Sequence, residues 1–291
     1  MNPHLKPALG SNLLLRTDSY KASHWLQYPP GAEHAFSYIE SRGGRYSHSL
    51  FFGLQAYLRE YLSTPITLAD VAEAKAIYAA HGEPFNEAGW TRLVEKHGGL
   101  LPLRIRAVPE GMVLPVRNVL LTVENTDPEF FWLTSFIETE LLRAVWYPTT
   151  VATQSATAKS IIARYLHATS DCAEQELSFK LHDFGARGVS SLESAALGGM
   201  AHLVNFMGTD TVSALLAARR YYDCEMAGFS IPAAEHSTIT SWGREHEADA
   251  YRNMLRQFAR PGSVVAVVSD SYDIFHACDA IWGQQLRDAV I

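Results

Sequence analysis

The stretch Gly228-Phe-Ser-Ile-Pro-Ala-Ala-Glu-His-Ser-Thr-Ile-Thr240 decides the fold. Its apolar lead, Met226 to Ile231, suits a strand buried in a sheet. Pro232 ends that strand's hydrogen-bond ladder and forbids a helix until after it. Glu235 and His236 then stand at the strand's mouth, and Ser237 or Thr238 is placed to cap the helix that follows. A titratable pair at the carboxyl end of a parallel strand is where barrels and doubly wound sheets hold their chemistry.

Working outward, three segments repeat the arrangement. Ser178-Phe-Lys-Leu-His-Asp-Phe-Gly185 reads as a strand ending in Asp183, with Gly185 and Gly188 around Arg187 before a helix. Leu203-Val-Asn-Phe-Met-Gly-Thr-Asp210 ends in Asp210, and Thr211 opens the next helix. Ser263-Val-Val-Ala-Val-Val-Ser-Asp270 reads as the cleanest buried strand and ends in Asp270. Asp183, Asp210, His236 and Asp270 are spaced by 27, 26 and 34 residues, each enough for one strand, one helix and their loops. Four such units delivering a polar group at the same end predict a βα series.

Toward the N-terminus the pattern changes. Ala35 to Glu40 alternates as a half-buried strand does, and Ser41-Arg-Gly-Gly-Arg45 is a basic turn. Phe51 to Leu62 has helical periodicity, Thr67-Leu-Ala-Asp70 resembles a capping box for a helix to about Ala80, and Asn86 caps another that closes at Gly98-Gly99. The segments Leu103–Val108, Met112–Pro115 and Val119–Val123 predict a small antiparallel sheet turned at Pro109-Glu-Gly111. One helix is expected from Pro128 to about Trp146, before Pro148, and a second from Thr150 to His167. The fold class is therefore α/β: an α+β N-terminal domain over residues 1–177, then βα units over residues 178–291.

Composition bounds the partners. The 291 residues exceed one average domain, and 47% hydrophobic with 19% charged residues describes a soluble chain with ample core. Net charge is −7, from 24 Lys+Arg against 31 Asp+Glu, with no basic block, which argues against nucleic acid and anionic membrane. Phosphorylated small molecules stay open, because local arginines and helix N-termini bind them against the net charge. Cys172, Cys224 and Cys278 form neither a disulfide framework nor a zinc pattern and fit a reducing cytoplasm. No apolar run approaches a membrane span, and the first residues lack a signal-peptide core. There is no Gly-rich dinucleotide fingerprint, no phosphate loop and no nucleophile elbow, and His246-Glu247 lacks the second histidine of a zinc helix.

At Leu181-His-Asp-Phe-Gly-Ala-Arg-Gly-Val-Ser190, Gly208-Thr-Asp-Thr211, Ser230-Ile-Pro-Ala-Ala-Glu-His-Ser-Thr-Ile239 and Val268-Ser-Asp-Ser-Tyr-Asp273 the chain resembles the nicotinamide phosphoribosyltransferase family. The likeness begins at Thr17-Asp-Ser-Tyr-Lys21 and runs through Phe52-Gly-Leu-Gln55 and Val123-Glu-Asn-Thr-Asp-Pro128, so it covers nearly every residue. The resemblance implies a fold whose C-terminal part is the first half of an irregular βα barrel. It also implies condensation of nicotinamide with phosphoribosyl pyrophosphate to nicotinamide mononucleotide and pyrophosphate, in NAD salvage. Mg²⁺ would accompany the phosphates, and ATP would drive the reaction through a phosphorylated histidine, in a homodimer with shared sites.

By the same resemblance Phe184 stacks on one face of the nicotinamide ring and Tyr20 of the partner subunit on the other, while Asp210 accepts from the carboxamide NH₂. Arg187 lies beside the ring and the nucleotide phosphate, and Arg42 reaches pyrophosphate or ATP phosphates. His236 is the phosphorylated histidine, with Glu235 beside it and Asp270 on the ribose and phosphohistidine side. No residue is assigned to metal. These types suit the chemistry: a weakly nucleophilic ring must be held against an oxocarbenium-like carbon, and an aromatic clamp does so by positioning. A carboxylate at residue 210 favours an amide over a carboxylate, which disfavours the sibling nicotinate enzyme.

Ala186 and Ala266 depart from the family, standing where an aromatic and a serine are expected. The family also continues past Ile291, so a third reading is a truncated or split chain that needs a second polypeptide. Four of a barrel's eight strands predict no turnover by the chain alone.

Overall fold

The computed structural model describes residues 10–291. It divides into two compact units, Met1–Gly228 and Phe229–Ile291.

In the first unit, strands β1 (Phe36–Glu40), β5 (Val119–Asn125) and β3 (Leu103–Ala107) form an antiparallel sheet in the order β1-β5-β3. The central strand buries Leu121 and Val123, as its alternation requires. The third expected member departs: β4 (Val113–Pro115) pairs instead with β2 (His48–Leu50), with Ser49 opposite Leu114. Glu110 is the cause. Its Oε1 accepts from the backbone of Gly53 and Gln55, both at 2.9 Å, and draws the turn after β3 toward β2.

Helix α1 (Leu54–Tyr57) runs into a π turn over Leu58–Leu62. Helix α2 (Leu68–His81) opens on the expected capping box of Thr67 and Asp70. Helix α3 (Glu87–His97) opens on Asn86, whose side chain accepts from Gly89, and stops at Gly98 in the left-handed region. Short α4 (Leu133–Phe136) leads into α5 (Glu138–Thr169), a helix of 32 residues with Pro148 inside it. The two helices expected on either side of Pro148 are therefore one. Pro148 has no N–H for the carbonyl of Ala144, and the chain at Gly53 covers that carbonyl, where a Cβ would come within 2.6 Å of it. The next turns of α5 serve β2: Thr153 Oγ1 accepts from Leu50 N at 2.8 Å and Thr149 Oγ1 from Phe52 N at 3.2 Å.

After α6 (Ala173–Glu176) come two short parallel strands, β6 (His182–Asp183) and β7 (Gly208–Thr209), with His182 opposite Gly208. Helix α7 (Leu192–Leu203) follows the first strand and α8 (Val212–Tyr222) the second. Leu50, Phe52 and Ala152 share a core with Met200, Ala201, Ala214 and Ala217. Residues on either side of position 177 thus pack together, and the first unit extends to Gly228.

The second unit holds α9 (His236–Thr240), α10 (Glu247–Phe258), α11 (Ile274–His276) with a π-helical run to Gln285, and α12 (Arg287–Val290). Ile239, Tyr251, Ala277, Ile281 and Leu286 form its core, and Tyr251 stacks on Trp282 at 4.8 Å. The buried strands expected at 226–231 and 263–269 are reduced to one parallel bridge, Ala233 to Ala266. Ala234 N donates to Ala266 O at 2.9 Å and Ala266 N to Pro232 O at 3.0 Å. A single bridge covers neither face of the two segments, so Met226, Phe229, Ile231 and Val264 are exposed. Among the described residues no helix is long and apolar enough to cross a membrane.

Candidate functional site

In the first unit the β6 and β7 ends bring together residues 26 to 28 apart in sequence. Side chains two apart on a strand share a face, so His182 and Phe184 lie side by side, rings stacked at 6.0 Å and 29°. His182 reaches across to β7, its Nε2 3.2 Å from Asp210 Oδ2. Gly208 permits this, because a Cβ there would stand 2.7 Å from His182 Nδ1. Phe184 is 70% exposed, an uncommon cost for a large apolar ring.

Asp183 points the other way. Its Oδ1 accepts from Gly185 N at 2.9 Å, its Oδ2 from Thr209 Oγ1 at 3.3 Å, and its carbonyl from Asp210 N at 2.7 Å. Residues 181–186 form one side of a cleft of about 410 Å³, and Tyr147, Ser155 and Gly199 stand on the other. His202 lies in the same wall, buried against Phe206. Burial keeps its pKa low, and a neutral ring suits its bonds: Nε2–H donates to Leu181 O at 3.2 Å, and Nδ1 is 3.2 Å from Ser155 Oγ. Arg187 sits on the turn Ala186–Gly188, exposed, and no acid among the described residues pairs with it.

Two expected residues of this unit lie elsewhere. Arg42 lines a separate cleft of about 910 Å³ with Arg45, Tyr46, His48 and Trp146. Tyr20, half-exposed and edge-on to His24, lines neither cleft. Of the expected ring-binding set, then, the fold gathers Phe184 and Asp210 around His182. Sequence reasoning passed over His182, although two-residue alternation from Phe184 marks it as a neighbour.

The second unit has its own cluster. The bridge at Ala233 and Ala266 sets the two following segments side by side, and His236 Nε2 lies 3.0 Å from Asp270 Oδ1. Both side chains are open, 65% and 64% exposed. Glu235 rather than Ser237 or Thr238 is the cap residue of α9. Thr238 Oγ1 accepts from Glu235 N at 3.2 Å and donates to its carbonyl at 2.9 Å, and Ser237 Oγ donates to Glu235 Oε1. Glu235 is thereby turned along its own helix, and Asp270 is the acid that faces His236. Among the described residues no group of three or more His, Cys, Asp or Glu could hold a metal ion.

Two family models match the chain: the nicotinamide phosphoribosyltransferase N-terminal domain over residues 12–105, and the nicotinate phosphoribosyltransferase family over residues 179–291. A nicotinamide phosphoribosyltransferase of Xanthomonas campestris is 66% identical over 96% of this chain and 60% of its own length. One of Acinetobacter baylyi is 34% identical over 91% of this chain and 55% of its own. The chain thus spans between half and two thirds of these relatives. A crystal structure of nicotinate-nucleotide pyrophosphorylase from Pyrococcus furiosus shares the fold, with a TM-score of 0.56 over 98% of this chain and 58% of that one, at 14% identity.

Proposed function

This chain belongs to the nicotinamide phosphoribosyltransferase family, and from that premise we propose that its protein transfers phosphoribosyl from phosphoribosyl pyrophosphate to nicotinamide. The ring nitrogen forms the new bond to C1 of the ribose, the bond from C1 to pyrophosphate breaks, and pyrophosphate leaves with the electron pair. The observation that carries this reading is the exposed Phe184 ring beside the His182–Asp210 pair. Phe184 offers a face for a planar heteroaromatic, a stack worth about 1–3 kcal/mol. Asp210, oriented by His182, accepts from an amide and repels a carboxylate. Arg187, unpaired on its turn, is available to the nucleotide phosphate. The sibling nicotinate reaction is the less favoured reading on the same ground.

His236 would be the phosphoryl acceptor for ATP, and the geometry supports it. With Nε2–H donating a hydrogen bond to Asp270, Nδ1 is left as the nucleophile toward the γ-phosphorus, with ADP as the leaving group. The open setting of both side chains leaves room for a nucleotide. The residues present offer single carboxylates rather than a cage, which fits Mg²⁺ carried on the substrates' phosphates with one or two protein ligands. Its chemistry there is charge neutralisation of pyrophosphate. Arg42, beside Arg45 in its own cleft, supplies positive charge for phosphates. Tyr20 lies away from the cleft of Phe184, which suits a clamp completed by a partner subunit in a cytoplasmic homodimer. The test is conversion of labelled nicotinamide to its mononucleotide with phosphoribosyl pyrophosphate, Mg²⁺ and ATP, and nicotinate as competitor. Preferential use of nicotinate would replace the reading with its sibling.

A further inference from the structure

The acid next to the stacking ring has no part in the roles above, yet its carboxylate and carbonyl make three bonds at this site. Asp183 ties three things together: Gly185 N on the loop that carries Phe184 and Arg187, Thr209 Oγ1 on β7, and, through its own carbonyl, the backbone N–H of Asp210. Thr209 Oγ1 in turn accepts from Thr211 N at 3.0 Å, which fixes the chain on the far side of Asp210. The room around the carboxylate is closed by Gly199 of α7, where a Cβ would come within 3.1 Å of Asp183 Oδ2 and 2.5 Å of Ala214 Cβ. Each carboxylate oxygen of Asp183 thus holds a partner.

We propose that Asp183 is a positioning residue that sets the distance between the ring-stacking face of Phe184 and the amide acceptor Asp210, and so governs affinity for the nicotinamide ring. The inference rests on the proposed function and adds a residue to it. The two groups it spaces sit on different strands. With only two residues of pairing in each, the backbone ladder alone holds them weakly. A carboxylate accepting from both sides replaces the missing rungs with charge-assisted bonds. Its own side chain need not touch the ring, because the bonds are made on the side of the strand opposite His182 and Phe184.

The experiment compares Asp183→Ala and Asp183→Asn in the whole protein. Asparagine keeps an acceptor for Gly185 N and can face Thr209 with its amide, so it should hold the loop. Alanine loses both bonds, and the KM for nicotinamide should rise about 10- to 100-fold, as expected for loss of bonds to a charged group. Asparagine should stay within about threefold of the parent. The kcat and the KM for phosphoribosyl pyrophosphate should barely move in either variant. Hydrogen exchange over residues 181–190 supplies a second reading that needs no turnover: faster in Asp183→Ala, preserved in Asp183→Asn. An alanine variant with unchanged nicotinamide KM, or with both KM values rising and kcat falling in step with its melting temperature, would overturn the proposal. If the parent protein makes no mononucleotide, the proposed function fails, and unchanged exchange in Asp183→Ala then sinks the positioning role separately.

Discussion

At the scale of single residues, the proposed function makes base choice turn on the charge of Asp210. Asp210→Asn keeps the shape and an acceptor oxygen but removes the charge that His182 Nε2 faces at 3.2 Å. The specificity constant for nicotinamide should fall about 10- to 100-fold, the cost of a charge-assisted bond, while nicotinate becomes a better competitor. Steady-state kinetics with both bases checks this, and unchanged nicotinamide kinetics would remove Asp210 from the amide. Asp210 was legible in the chain because a polar residue at a strand end is a local signal, whereas Phe184 was marked only by the family resemblance. His182 and Gly208 were not, since their partnership depends on the register of β6 against β7, which spacing alone does not give. Glu235 illustrates the converse. Its place beside His236 in sequence suggested a shared task, and the structure turns its carboxylate to Ser237 instead.

At the scale of elements, the helices whose signals lie within one turn were readable: the box at Thr67 and Asp70, and the cap at Asn86 with the stop at Gly98. What escaped was set by distant residues. Glu110 diverts β4 to β2, and Gly53 lets α5 run through Pro148. Gly53→Ala would place a Cβ 2.6 Å from Ala144 O at a φ of 109°, so it should cost about 3 kcal/mol, read as a lower denaturant midpoint. A second test concerns the C-terminal end of α3. Asp127 Oδ2 meets Lys96 Nζ at 2.7 Å and His97 Nε2 at 2.7 Å, and the Lys96 bond above all holds its carboxyl down to about 2, from an ordinary 3.8. A depressed folded pKa gives stability that is complete above the unfolded value and lost as pH falls from about 4 through 2. Partial exposure screens the gain to about 1 kcal/mol. Asp127→Asn should therefore lower stability near neutrality and flatten the acid limb between those values, measured by denaturant titration at stepped pH. An acid limb identical to the parent's would show that the pair adds nothing.

At the scale of the whole molecule, chemistry that sequence places in one reaction is distributed over two compact units, with Phe184 and Asp210 in the first and His236 and Asp270 in the second. The unit boundary at Gly228 was not readable, because it depends on helices α5, α7 and α8 sharing a core of small residues rather than on any linker composition. The ring site raises a sharper question of scale. A single exposed aromatic face gives half a clamp, and Tyr20 of the same chain is not at that cleft. If two copies face each other across a two-fold axis, each site takes Phe184 from one and Tyr20 from the other. Tyr20→Ala and Phe184→Ala proteins would each have two damaged sites alone. Mixed and allowed to exchange, a heterodimer carries one site with both substitutions and one with neither. With random pairing half the dimers are mixed, so about a quarter of all sites, and about a quarter of parent activity, should return. The measurement is turnover before and after exchange, with heterodimers counted by native mass spectrometry. Heterodimers formed without any recovery would place both residues of each site on one chain, and Tyr20 would then have no part in holding the ring.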